Sequence, residues 1–250
     1  MRYSIEVQYN GTAFYGSQIQ GNLPTVQFEV NKALSTILGK PIESYGASRT
    51  DEGVHALCNF YHFDWGLPIN TSKLQYSLNA ILPPALSILR LQQLKNDDAN
   101  VRFDAISRTY RYRIYFKKNP FLYERAYLFP YTMNMEALNE TAKILMEYTD
   151  FESFAKKNTQ NKTTICQLFQ SKWEVYENEI HYLVTGNRFL RGMVRALVGT
   201  QLRVARGKLS VEGFRSIIES KNCQLADFSV PGHGLYLEKI TYPDDYFIVD

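Results

Sequence analysis

Cysteine is scarce in this 250-residue chain and follows no pattern: Cys58, Cys166 and Cys223 lie far apart. Three scattered thiols exclude a disulfide framework and a zinc knuckle, and they suit a reducing compartment. No apolar run approaches the roughly 18 residues of a membrane span. The opening MRYSIEVQYN also lacks the apolar core of a secretory leader. A soluble, cytoplasmic protein is therefore expected. Charge of one sign is scarce too, with 28 Lys and Arg against 25 Asp and Glu and a net charge of +3. Composition alone does not announce a nucleic-acid binder, so a phosphate-bearing partner would have to meet locally concentrated positive charge. Short repeats and low-complexity tracts are absent.

What is present is a globular composition. Hydrophobic residues make up 45% of the chain, enough for a substantial core, and the length suits one large domain or two ordinary ones. Aromatics reach 14%, including 18 tyrosines. A ring that also carries a hydroxyl serves an RNA surface and a tyrosine-rich core equally well.

Periodicity organises the chain. Tyr3, Ile5, Val7 and Tyr9 alternate with Ser4, Glu6 and Gln8, the pattern of a half-buried strand. Val26, Val30, Ala33, Leu34, Ile37 and Leu38 follow helical spacing and Gly39 ends the helix. A strand is expected at about 41–47 and an aromatic one at 55–64. A helix through Leu74, Leu78 and Ile81 stops at Pro83 and Pro84, and a strand follows at 86–94. The order β-α-β-β-α-β is the ferredoxin-like arrangement shared by RRM domains. The remainder repeats it with insertions: a strand at 107–116, a helix through Met135, Leu138, Ala142 and Leu145, and a hairpin over 172–186 turning near Asn178. A long helix is expected over about 188–206. Ser210 caps a shorter helix, and a last strand covers 234–242. The polar segment 154–164 is the most loop-like and could meet phosphate.

Three segments could carry chemistry. In GASRTDEGVHAL (46–57), Arg49 lies two positions from Asp51 between Gly46 and Gly53. A held, ionised carboxylate can attack a sugar carbon, and a neighbouring guanidinium favours the charged form. The same pair could simply stabilise a turn. His55 reads as a strand-start residue with a hydrogen-bonded ring. In SRTYRYRIYF (107–116), alternation sets Arg108, Tyr110 and Tyr112 on one face and Arg111 and Arg113 on the other. That suits base stacking with phosphate contact, or a strand with one charged, solvated face. In NRFLRGMVRALVGTQLRVARG (187–207), Arg188, Arg191, Arg195, Gly199 and Arg206 gather on one side at 100° per residue. An arginine stripe could grip a phosphate backbone or be an ordinary solvated face. Gly199 costs about 1 kcal/mol against alanine in a helix, so close packing is expected there.

Taken together, SRTDEGVHA (48–56), RFDAISRTYRYRIY (102–115), FLRGMVRALVGT (189–200) and GHGLYLEKITYP (232–243), with YNGTAFYGSQIQ (9–20), resemble the tRNA pseudouridine synthase A family across nearly the whole chain. The resemblance implies an α+β fold of two RRM-like halves, residues 1–104 and 105–250, joined into one extended antiparallel sheet with flanking helices and a central active-site cleft. It implies an isomerase that converts uridine to pseudouridine in the tRNA anticodon stem-loop, at positions 38, 39 and 40 of the RNA. It further implies no metal or organic cofactor, tRNA as partner, no membrane and a homodimer. By the same resemblance Asp51 is the catalytic nucleophile and Arg49 pairs with it and helps displace the base. Tyr110 packs against the target uracil, and Arg195 ion-pairs with Asp51.

The chain departs from the family at Ser48, usually glycine, at Glu52, usually small, and at Ser17, usually tryptophan. These departures bear on efficiency and site preference more than on reaction type. Two other classes compete. A paired RRM-like binding module shares the aromatic and basic surfaces but gives no reason for Arg49 beside Asp51. A metal-dependent hydrolase using Asp51, His55, His62 and Asp64 lacks HExxH-like or two-metal spacing.

Overall fold

The computed structural model describes residues 1–157 and 163–248. Part of the polar segment 154–164 thus lies outside the described residues. The fold is α+β, with nine strands and five helices among the described residues. The chain divides into two compact units, Met1–Ile106 with Leu237–Asp250, and Ser107–Tyr236.

The first unit runs β1 (Arg2–Tyr9), α1 (Val26–Leu38), β2 (Tyr45–Gly46), β3 (His55–Asp64), α2 (Thr71–Ile81) and β4 (Leu86–Gln93). Its strand order is β4-β1-β3, antiparallel throughout, with β2 on the far side of β3. Alternation along β1 does what the pattern requires. Tyr3 faces Phe63, Ile5 faces Tyr61 and Val7 faces Asn59, and all six are buried. Val30 and Leu34 of α1 and Leu74 and Leu78 of α2 are buried as well. Thr25 caps α1 through Phe28 N–H, and Asn70 caps α2 through Lys73 N–H.

The strand expected at 41–47 shrinks to the two residues of β2. The physical reason is at Ser44, whose backbone is satisfied by side chains rather than by a ladder. Its N–H donates to Asn31 Oδ1 at 3.0 Å, and its carbonyl accepts from Gln27 Nε2 at 2.5 Å.

The second unit holds β5 (Ser107–Tyr115), the short β6 (Tyr127–Leu128), α3 (Met135–Leu145), β7 (Leu168–Val175), β8 (Glu179–Gly186), α4 (Met193–Ala205) and α5 (Val211–Glu219). β5, β8 and β7 pair in that order, antiparallel, and β6 lies parallel on β5. The hairpin turns between Tyr176 and Glu179, close to Asn178 as expected. Ser210 caps α5 through Gly213 N–H. The last strand, β9 (Leu235–Thr241), begins at the end of this unit's residues and continues in the first unit's.

The long helix expected over 188–206 is shorter. Gly192, at φ +74°, sits in the left-handed region and starts α4 at Met193. Arg188 and Arg191 therefore precede the helix. Arg206 ends it, with its guanidinium 3.7 Å from the Tyr131 ring centroid. The stripe of arginines does not form. α4 is instead buried almost all round, from Met193 and Val194 through Leu202, Val204 and Ala205. Buried Gln201 accepts from Trp173 Nε1 at 3.0 Å and Thr141 Oγ1 at 3.3 Å, which satisfies it inside the core.

Close packing at Gly199 does occur, against the chain itself: a Cβ there would lie 2.3 Å from the Asp227 carbonyl oxygen. Gly199→Ala should therefore lower stability by about 1–3 kcal/mol, since backbone must shift, although alanine is the better helix former. Thermal unfolding measures it.

His62 supplies a second expectation. It is only 3% exposed, and its Nδ1 has no hydrogen-bond partner among the described residues. Burial, reinforced by the Arg2 charge and opposed by Asp64 and Asp104, lowers its pKa from 6.5 to about 4. The unfolded chain takes up this proton first. The stability that neutral His62 contributes is thus complete above pH 6.5 and lost as pH falls towards 4. The gap in unfolding midpoint between wild type and His62→Phe should shift against wild type over that window and level off below it.

Candidate active site

The loop carrying Arg49 and Asp51 joins β2 to β3 in the first unit. Its middle residue, Thr50, is held at three points. Ser17 Oγ accepts from Thr50 N–H at 2.8 Å, and Ser17 N–H donates to the Thr50 carbonyl at 3.0 Å. The Thr50 hydroxyl bonds the Tyr9 hydroxyl at 2.9 Å. Asn59 on β3 joins the same network, donating from Nδ2 to Tyr9 at 3.2 Å and to the Ser48 carbonyl at 3.0 Å. Ser17, Tyr9, Thr50 and Asn59 are all buried, so water does not compete for these bonds. On the C-terminal side, Val54 N–H returns to the Asp51 carbonyl at 3.2 Å, with Gly53 at φ +77° completing the turn. With the peptide between them fixed, Arg49 reaches solvent and Asp51 is half-buried.

His55 behaves as expected. Buried at the start of β3, it accepts from Gly11 N–H through Nδ1 at 3.1 Å, a structural role. Ser48, where the family resemblance places glycine, is also buried, and its carbonyl receives the Asn59 bond. Ser17, another of the three departures, forms the clamp on Thr50. Neither Ser17, Tyr9 nor Asn59 stood out as a site residue in the sequence.

Tyr110 and Arg195 lie in the second unit. Tyr110 is on the buried face of β5 with Arg108 and Tyr112, as alternation requires, and its ring meets Phe189 edge-on at 5.2 Å. Phe189 is a neighbour that spacing could not have shown. Tyr112 donates its hydroxyl to the Pro231 carbonyl at 2.8 Å, and Arg108 donates to the Asn187 carbonyl at 2.9 Å. The opposite face of β5 is charged and internally paired. Arg113 forms two bonds to Glu179, at 3.0 and 2.9 Å, and Arg111 reaches Glu174 at 3.4 Å and the Tyr176 hydroxyl at 3.1 Å. Those guanidiniums pair with carboxylates of β7 and β8. Arg195, one turn into α4, donates from Nε to the Val230 carbonyl at 2.8 Å and from its terminal nitrogen to the Phe228 carbonyl at 3.3 Å. The structure thus brings Arg49 and Asp51 together on one loop, and it anchors Tyr110 and Arg195 on two elements of the other unit.

Comparison with known proteins agrees with this architecture. A family model described as tRNA pseudouridine synthase matches residues 144–243. The whole chain is similar to the tRNA pseudouridine synthase A of Parabacteroides distasonis, 43% identical over 250 residues, which are 100% of this chain and 99% of the relative. The corresponding protein of Bacteroides thetaiotaomicron is 44% identical over 249 residues, covering 98% and 92%. That of Bacillus subtilis is 35% identical over 248 residues, covering 97% and 99%. The first match defines a class, the tRNA pseudouridine synthases. The full-length ones go further: the chain belongs to the tRNA pseudouridine synthase A family.

The clamp on Thr50 can be measured directly. Ser17→Ala removes the acceptor of a buried N–H and should cost about 1–3 kcal/mol in denaturant unfolding, with an unchanged m-value. A midpoint equal to wild type would show that the bond contributes nothing.

Proposed function

We propose that this chain is an isomerase converting uridine to pseudouridine in the anticodon stem-loop of tRNA, at positions 38, 39 and 40 of the RNA. Full-length similarity to the family supports the reaction class. The observation that carries the residue assignment is the fixed Thr50 peptide, which displays Arg49 and Asp51 on one anchored turn.

The chemistry needs little else. The N1–C1′ bond of uridine breaks, the uracil turns, and C5 bonds to C1′. C5 then loses a proton and N1 gains one, so atoms and electrons balance without an oxidant, a reductant or a cofactor. As nucleophile, an Asp51 carboxylate oxygen bonds to C1′ as the N1–C1′ bond breaks, and that C1′–O bond breaks in turn when C5 bonds to C1′, which returns the carboxylate. Arg49 enters the position vacated by the base, and Tyr110 packs against the extruded uracil. Arg195 supplies a second guanidinium to Asp51. Extrusion costs a few kcal/mol of unstacking, which stacking and phosphate contacts offset. The functional halves are residues 1–104, with the Asp51 loop, and 105–250, with the Tyr110 strand and the Arg195 helix. The enzyme works as a cytoplasmic homodimer.

Asp51→Asn separates binding from chemistry. It should retain tRNA affinity in a filter or gel-shift assay yet release no tritium from tRNA labelled at uridine C5. Measurable pseudouridine from that variant would remove Asp51 from the mechanism.

A further inference from the structure

Beside the Asp51 loop, within the first unit, lies a cavity of about 150 Å³. Gln18, Tyr45, Arg49, Asn100, Arg102 and Phe103 line it, and Ser17 and Ser48 of the loop network border it. None of its eleven lining residues is a carboxylate and two are arginines, so the lining itself favours an anion, with Glu43 just outside it accepting from the Tyr45 hydroxyl at 3.1 Å. Its volume is well below the roughly 300–1,000 Å³ of sites for whole small molecules, which suits one ring of a longer ligand.

The aromatic side of the cavity is built rather than incidental. Phe103 is 75% exposed, with the Arg102 guanidinium 5.5 Å from its ring centroid. The turn that carries it is locked. Asn100 Oδ1 accepts from Arg102 N–H at 3.0 Å and Phe103 N–H at 3.4 Å, and Asn100 N–H donates to Asp104 at 2.6 Å. Fully buried Val101 anchors the same turn, its carbonyl accepting from Tyr242 at 2.6 Å. Tyr45, 55% exposed, borders the cavity while its ring stacks on His62 at 5.4 Å. A held aromatic face, amides and guanidiniums together recognise a planar, hydrogen-bonding ring attached to a phosphate.

We infer that this cavity is a subsite for a single unpaired base of the RNA next to the target uridine, stacked on Phe103, with Arg102 and Arg49 at its phosphate. The inference rests on the proposed reaction for the identity of the RNA. It extends that reaction by giving the first unit a base-recognition site of its own. Because Ser17 and Ser48 border both the cavity and the Thr50 network, a base seated there also touches the turn that presents Asp51.

The test pairs a protein variant with an RNA variant. Fluorescence anisotropy measures binding of an anticodon stem-loop RNA to wild type, Phe103→Ala and Phe103→Trp. The same RNA is also made with an abasic ribose on either side of the reacted uridine. Phe103→Ala should weaken binding about tenfold, as loss of one base–aromatic stack does, and Phe103→Trp should restore it. With the abasic ribose at the contacted position, Phe103→Ala should bring no further loss. Because Phe103 is exposed, its removal leaves the fold intact, and circular dichroism verifies this. Unchanged binding by Phe103→Ala, or losses that add in full with both abasic RNAs, would overturn the subsite. Pseudouridine formation by wild type is scored separately. Product without Phe103 coupling sinks the subsite alone, and coupling without product sinks the proposed reaction alone.

Discussion

Everything assigned to the first unit depends on two consecutive peptide groups that are not free to rotate. Thr50 stands between Arg49 and Asp51, and both its N–H and its carbonyl are bonded to Ser17. Its side chain is tied to Tyr9 on β1, which is tied in turn to Asn59 on β3. Two neighbouring strands and a loop thus share one buried polar network, and fully satisfied networks of this kind hold one geometry. A reaction in which a sugar carbon exchanges one bond for another is sensitive to displacements of about 1 Å. The proposed reaction places its acid on a loop, which is acceptable only where the scaffold fixes that loop, as the two strands do here.

The second unit solves a different problem. Its central helix, α4, is surrounded by apolar neighbours, so the polar groups it carries are satisfied inside the protein. Arg195 fits that rule, with its guanidinium set by two backbone carbonyls. Arginine in such a place is oriented before any ligand arrives, which lowers the entropy lost when one does. The tyrosine-rich composition resolves along the same line. Tyr61, Tyr112, Tyr182 and Tyr242 are buried, and their hydroxyls meet Ser17, Pro231, Ser171 and Val101. Half of the 18 tyrosines are buried, while Tyr45 is one of six that stay exposed.

Elements with a strong period were legible before any coordinates. The alternation of β1 and β5, the cap at Ser210 and the β-α-β-β-α-β order all follow from side-chain spacing and residue type, which local sterics impose. Two failures have different causes. Helical projection grouped Arg188 and Arg191 with Arg195, but projection assumes continuous helical backbone, and Gly192 breaks it. The strand expected at 41–47 gave way because Asn31 and Gln27 captured the backbone of Ser44, and no local pattern announces that. The Asp51 loop was legible as Arg49 near Asp51. Its clamp was not, since Ser17 and Thr50 are 33 residues apart and neither residue type is unusual. Ser17 stood out only as a departure from the family resemblance.

Extruding a base from a stack costs a few kcal/mol, and the protein must supply that energy from contacts elsewhere on the RNA. Contacts far from the reacting ribose can hold the RNA yet leave the extruded nucleotide loosely placed. In the proposed reaction contacts adjacent to Arg49 would do both, because binding free energy gained there would act on the nucleotide next to the reacting one. The cavity bounded by Phe103 and Arg49 is adjacent in this sense, and the residues bordering it also hold the turn of Asp51. A hydroxyl at position 17 makes that arrangement possible. Ser17 reaches Thr50 on one side and leaves space on the other, whereas a large ring at that buried position would occupy the space instead. Under the proposed subsite, the departure from the family resemblance at Ser17 would thus bear on which nucleotides neighbour the target, not on the bond that is exchanged.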